Sequence, residues 1–233
     1  MSTKKQQGRA AILAGIRGSL GRGELPAEQR AAIDSRLANP QRNLIPARAQ
    51  VDHAAQVELF LEYLGAADGT FTRVAAEADA PKALSEYLSS QNLPQRVAMA
   101  PDAWLEGLPW KEGAPLLERR AGPAQPEDQV GVTGALAGIA ETGTLMLISG
   151  PDSPSTLTML PETHVVVLRA SQIIGAMEDG WDALRKRGRK GNMPRTAIFI
   201  TGPSRTGDIE MHMYLGAHGP RRLHVILIEK SNN

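Results

Sequence analysis

The chain has 233 residues, of which 42% are hydrophobic and 22% charged, and a formal net charge of +1. That length suits one large domain or a domain with an extension, and the near-neutral balance gives no global electrostatic case for nucleic acid or an anionic membrane. The chain has no cysteine, which excludes disulfides, thiolate metal sites, a cysteine nucleophile and an iron–sulfur cluster held by its own thiolates, and which fits a cytoplasmic protein.

The first residues, MSTKKQQGRAAILAGIRGSLG, are basic, and their short apolar part is followed at once by Arg17. This reads as an amphipathic helix and not a signal peptide, and no apolar run approaches the ~18 residues a membrane span needs. Two helices are expected at 4–20 and 26–38. Ile12, Leu13, Ile16 and Leu20 share one face of the first, and Ile33 and Leu37 one face of the second, with Pro26 at its start. Residues 39–50 hold two prolines and no period, so they read as a linker. The first 50 residues form a helical N-terminal extension that packs on the body or on a second subunit, a homo-oligomer thus staying open, and 51–233 form the main domain.

A helix over 52–65 follows, with Val57, Phe60, Leu61 and Leu64 on one face and Gly65 as its stop. The pattern then changes to apolar strands at 71–76, 96–100, 144–149, 164–169, 196–201 and 223–229, with helices near 81–91, 170–187 and 208–215. Several strands are apolar at consecutive positions, which marks strands covered on both faces. Strands alternating with helices predict an α/β fold built on an open, mostly parallel sheet. Residues 107–130 are rich in proline and glycine, and no element is assigned to them.

Two stretches carry candidate chemistry. In TGPSRTGDIEMHMYLGAHGP, residues 201–220, a strand runs into the turn Gly202-Pro203. Ser204, Arg205 and Thr206 are expected to lead into a short helix opened by Asp208 and Glu210. A helix start offers free N–H groups, and arginine offers a fork of donors, so an anion site at a strand's carboxyl end is one reading. A capped helix with Arg205 in solvent is the other. His218 lies in a loop between small residues as an accessible imidazole. In GIAETGTLML, residues 138–147, Glu141, Thr142, Gly143 and Thr144 precede an apolar strand. Glu141 reads as a turn acid, or as a carboxylate at a cleft edge available for acid–base or nucleophilic work.

The motifs GIAETGTLML, TMLPETHVVVL, GPSRTGDIE, and GAHGP followed by LHVILIE stand in the order found in the lactate utilization protein C family, the LUD domain, which this chain resembles from about Val130 to Glu229. The resemblance implies a fold like that of the NagB/RpiA/CoA-transferase group, with ligands at a strand-end cleft. It implies a part in oxidising L-lactate to pyruvate beside partner subunits that carry iron–sulfur clusters, with no cofactor on this chain. It supplies no catalytic residue, and Glu141 and His218 are only candidates. The expected cleft has Glu141–Thr144 on one side and Gly202–Thr206, Asp208, Glu210 and His218 on the other, with Arg205 on a small anion such as lactate or a phosphate.

Other features point less far. RKRGRK, residues 185–190, reads as a solvated helix end and not a nucleic-acid patch. His164 reads as a hydrogen-bonded structural histidine. Asp208 and His212 are spaced for ligation on a helix face, but with Glu210, His218 and His224 they form no compact metal motif. GxGxxG, GxxxxGK[ST] and GxSxG are absent. A stand-alone CoA-transferase-like, isomerase-like or folate-cyclo-ligase-like enzyme is the competing function.

Overall fold

The computed structural model describes residues 2–21, 23–187, 193–207 and 213–230. They fall into two compact units, Met1–Leu44 and Ile45–Asn233. The division precedes the boundary expected at residue 50 because Ala49 is buried in the second unit and Arg48 donates from Nε to the Glu141 carbonyl at 3.0 Å. The first unit consists of helices α1 (Ser2–Leu20) and α2 (Ala27–Ala38). Their apolar stripes, Ile12 and Ile16 on α1 and Ile33 and Leu37 on α2, are exposed.

The second unit opens with α3 (His53–Ala66), capped by Asp52, whose carboxylate accepts from Ala55 N at 2.9 Å. Val57, Phe60, Leu61 and Leu64 are buried at helical spacing. The helix runs past Gly65, and Asp68, at φ 62°, makes the turn that follows. Next come β1 (Thr70–Ala76), α4 (Ala80–Ser90), β2 (Arg96–Met99), the single turns α5 (Ala103–Glu106) and α6 (Trp110–Gly113), β3 (Glu118–Ala121) and β4 (Val130–Thr133). They are followed by β5 (Ala137–Ile139), β6 (Thr144–Ile148), β7 (Thr163–Arg169), β8 (Ile173–Ile174), α7 (Met177–Arg187), β9 (Ala197–Ile200), β10 (Arg205–Gly207), β11 (Met213–Leu215) and β12 (Arg222–Lys230).

Six strands form a parallel sheet in the order β1-β12-β7-β4-β2-β3. Two expected strands do not join it. β6 and β9 belong to a second sheet, β8-β5-β6-β9, in which β5, β6 and β9 pair antiparallel. Their apolar runs arise from the same cause as those of the parallel strands, burial on both faces. Leu145, Leu147, Ile198 and Ile200 pack toward Val166, Leu168, Val225 and Leu227 of the large sheet. Met146 and Phe199, on the opposite face, pack with Leu184 and Trp181 of α7. The far face of the large sheet, including Val165, Val167, Ile226 and Ile228, is covered by residues of α4 and the turns α5 and α6. The layers therefore run from these helices to the large sheet, then the small sheet, then α7. Each fully buried Leu, Val or Phe contributes about 1.5–3 kcal/mol of transfer free energy to this arrangement.

Two further expectations give way. Residues 170–187 are not one helix, because Ile173 and Ile174 pair with Gly138 and Ile139 and the helix starts at Met177. The helix expected at 208–215 is replaced at its end by β11, which pairs antiparallel with β10 as Arg205↔Leu215, Thr206↔Tyr214 and Gly207↔Met213. Ser204, Arg205 and Thr206 thus lead into a hairpin strand and offer no helix N-terminus. Asp208, Glu210 and His212 lie outside the described residues. Among the described residues no helix is long and apolar enough to cross a membrane.

Candidate functional site

Strand order places a crevice at the carboxyl ends of the parallel sheet. The chain leaves β2 toward β3 on one side and returns as β4 on the other, so β2 and β4 flank a topological switch point, where open α/β sheets bind ligands. A cavity of about 110 Å³ lies there. Ala100, just past β2, Gly134, just past β4, and Arg169, the last residue of β7, contribute from the large sheet, and Ile148 and Asp152 from the end of β6 and beyond.

The polar groups of this crevice are held in place. Gln172 donates from Nε2 to Ala135 O at 2.7 Å and accepts at Oε1 from Arg169 N at 3.0 Å and from Arg169 Nε at 3.3 Å. The Arg169 guanidinium carbon sits 4.3 Å from the centroid of the Trp104 ring, and the Trp104 indole donates to Glu77 Oε1 at 3.0 Å. One edge and one face of the guanidinium are fixed in this way, and among the described residues no carboxylate pairs with it. The acids nearby are engaged elsewhere: Asp102 accepts from Leu105 N at 3.0 Å, and Asp152 pairs with Arg187 at 3.3 Å. A fixed, half-buried guanidinium without a counter-ion suits a small anion.

The residues expected to form one cleft sit elsewhere and in two groups. Glu141, Thr142, Gly143 and Thr144 make the turn between β5 and β6, and Gly202 and Pro203 make the turn after β9. Both turns close on the end of α3. A Cβ on Gly143, at φ 62°, would meet Leu64 N at 2.4 Å, and one on Gly202, at φ 80°, would meet Ala67 O at 2.1 Å. Only glycine allows that approach with that backbone. A chain of hydroxyls, Thr142 to Thr144 at 2.7 Å and Thr144 to Thr201 at 2.6 Å, joins the turns. Glu141 is 9% exposed, and its Oε2 has no hydrogen-bond partner among the described residues. Arg205 pairs with Asp68 on the surface, and Thr206 lies in β10 opposite Tyr214.

Gly202, Pro203, Ser204 and His218 do share a cavity, of about 210 Å³, with His164 and Leu223. His164 and Leu223 stand at the starts of β7 and β12, so this cavity lies at the amino ends of the large sheet, opposite the end expected. The error is one of sheet membership. Residue 201 follows the carboxyl end of β9, but β9 belongs to the small sheet and that end overlies the amino ends of the large one.

Two histidines are buried in the large sheet. His164 Nε2 is 2.8 Å from Thr133 Oγ1, and burial lowers its pKa to about 3. His224 lies between Thr70 (2.8 Å) and Thr72 (3.2 Å), stacks on Tyr87 at 3.7 Å, and is lowered by burial to about 4. Both are neutral at physiological pH. Among the described residues no three His, Asp or Glu side chains are grouped as metal ligands.

Sequence reasoning passed over Arg169, Gln172 and Asp102. One signal was available: HVVVLR is an apolar run that ends on a cation, and a charge at the carboxyl end of a doubly covered strand faces a crevice. Arg187, set aside as part of a solvated charge run, borders the same crevice.

An open parallel sheet with a polar crevice at its carboxyl ends defines an open-sheet α/β protein. The profile of the LUD domain matches residues 124–228. The lactate utilization protein C of Deinococcus radiodurans is 33% identical over 183 residues, 78% of this chain and 81% of that protein. That of Bacillus subtilis is 34% identical over 125 residues, 53% of this chain and 52% of that protein, and an uncharacterized protein of Neisseria meningitidis is 38% identical over 98 residues, 42% of this chain and 41% of its own length. The chain thus spans about half or less of the length of these last two relatives. A crystal structure of a DUF162 family protein from Deinococcus radiodurans superposes with a TM-score of 0.58 at 23% identity, covering 76% of this chain and 99% of that one, which shows a shared fold. The chain belongs to the LUD-domain family of lactate utilization protein C.

Proposed function

We propose that this chain is the non-redox component of a lactate utilization system and that it holds L-lactate, or a carboxylate of the same size, in the carboxyl-end crevice. The observation that carries this reading is Arg169, fixed by Gln172 and Trp104 and left without a carboxylate partner among the described residues. Its two terminal nitrogens match a carboxylate in the bidentate manner of arginine. At about 110 Å³ the crevice suits a molecule of a few heavy atoms and is small for a coenzyme. The names of the relatives supply the substrate.

Converting a 2-hydroxy acid to a 2-oxo acid releases two electrons and two protons. These 233 residues contain no cysteine, so we assign the electron carriers to iron–sulfur partner subunits. This chain would bind, orient and shield the carboxylate. A stand-alone acyl-transfer role for Glu141 is less well supported, because that carboxylate is buried behind α3 and lines neither cavity.

Affinity capture of the chain from its own cells grown on lactate, with iron quantified, tests the assembly. Cysteine-rich partners with stoichiometric iron are expected, and iron-free, monodisperse protein would contradict it. Calorimetric titration of the chain with L-lactate tests the site.

A further inference from the structure

The cavity at the amino ends of β7 and β12 has no part in the reading above, and its chemistry differs. Among the described residues lining its about 210 Å³ there is no Asp, Glu, Lys or Arg. Its walls are largely apolar, with Ile198 and Ile200 from the small sheet, Leu223 from the large one, and Met159, Pro203 and Pro220 around them. Its mouth carries Ser204 and the exposed His218.

Among the described residues two buried polar side chains line this cavity, Thr158, whose hydroxyl donates to Ser155 O at 2.9 Å, and His164. By strand alternation the His164 side chain lies on the same face of β7 as Val166 and Leu168, the face turned to the small sheet. It is fully buried, Nε2 is engaged by Thr133, and Nδ1 has no partner among the described residues. A buried imidazole nitrogen without a partner is costly and invites one from the adjoining space.

The lining limits what that partner can be. A charged ligand would lose its hydration and meet no counter-charge. The Thr133 hydroxyl can donate to Nε2 or accept from it, so Nδ1 is a donor in one tautomer and an acceptor in the other. A hydroxyl answers both cases, whereas a carbonyl answers one. We propose that this cavity is a second ligand site, for an uncharged and mostly apolar small molecule whose hydroxyl group bonds to His164 Nδ1. The site stands apart from the crevice at Arg169, so it holds or fails independently of the lactate reading.

The test uses the full chain labelled with nitrogen-15, phenol as the probe and toluene as its counterpart without the hydroxyl. Long-range proton–nitrogen spectra report the His164 ring nitrogens directly. Phenol is expected to saturate, to shift the His164 Nδ1 resonance, and to bind about tenfold more tightly than toluene, as one buried hydrogen bond supplies. Ile200→Phe, which fills the space from the small sheet, should weaken phenol at least tenfold and leave L-lactate binding unchanged. Equal affinity for phenol and toluene, or saturation that leaves the His164 nitrogens unmoved, would overturn the proposal and leave His164 a structural residue beside an apolar gap. The comparison of probes on the unsubstituted chain decides the matter even if Ile200→Phe fails to fold.

Discussion

Strand β7 has one chemistry near its start and another at its end. His164, its second residue, borders a cavity with no formally charged lining among the described residues, while Arg169, its last, borders a crevice containing Asp102, Asp152 and Arg187. They stand five positions apart, roughly 16 Å of extended chain. Between them Val165, Val166, Val167 and Leu168 are wholly buried, alternately toward α4 and toward the small sheet. A strand covered on both faces leaves chemistry only to its ends. The two ends differ in what overlies them: at one, the apolar face of β9 and its Gly-Pro turn, at the other, polar loops and the end of α7.

The largest contrast concerns the glycines at the two ends. Gly202→Ala should cost about 3 kcal/mol or more, because a Cβ would meet Ala67 O at 2.1 Å at a φ of 80°. Gly134→Ala at the crevice, where the nearest atom would be Val167 O at 3.9 Å, should cost under about 1 kcal/mol. Urea midpoints for both variants check this, and similar losses would remove the close approach from the account.

Acid should act through the histidine end next. Burial holds His164 at about 3 in the folded chain against the ordinary 6.5. Above pH 6.5 both states are neutral and the residue adds no pH dependence. Below it the unfolded chain takes up a proton that the folded chain refuses, so stability falls as pH drops toward 3, by about 3 kcal/mol at pH 4. His224, lowered to about 4, acts in the same direction. Denaturant midpoints at pH 7, 5.5 and 4.5 should show the decline, and His164→Asn should flatten it. An unchanged slope in that variant would mean that His164 is protonated in the fold.

At the other end, Arg169→Gln should weaken L-lactate by tenfold to a hundredfold, the range of a charged hydrogen bond, with little change in melting temperature. Retained affinity by calorimetry would move the anion elsewhere. The smallest effect is expected at Arg205. Its pair with Asp68 is 35% and 67% exposed, so Arg205→Ala should cost no more than about 1 kcal/mol and leave lactate binding as it was. Loss of binding would restore Arg205 to the site.

Much of the layering was legible in the residues. The spacing of Val57, Phe60, Leu61 and Leu64 specifies the buried face of α3, and the unbroken runs in β7 and β12 specify strands covered on both sides. Sheet membership was not legible, because TLMLI in the small sheet and HVVVLR in the large one meet similar apolar walls and so have similar compositions. β3, β4 and β8 are too short, at four residues or fewer, to show a period. The polar density of residues 201–220 drew the anion reading to Arg205, but among the described residues of that stretch Gly202 and Pro203 make a turn and Arg205 and Thr206 lie in a hairpin strand. Arg169 was visible as a cation closing an apolar run. Its partners were not: Trp104 reaches it through the packing of a different element, and Gln172, three residues on, reaches it only because the chain turns directly after β7.

The most direct test is an amide-resolved NMR titration of the nitrogen-15-labelled chain with L-lactate. Saturable shifts are expected at Gly134, Ala135, Leu136 and Arg169, with Gly202, Ser204 and Gly219 unmoved. Shifts confined to Gly202, Ser204 and Gly219 would place the anion at the amino ends and contradict a site at Arg169.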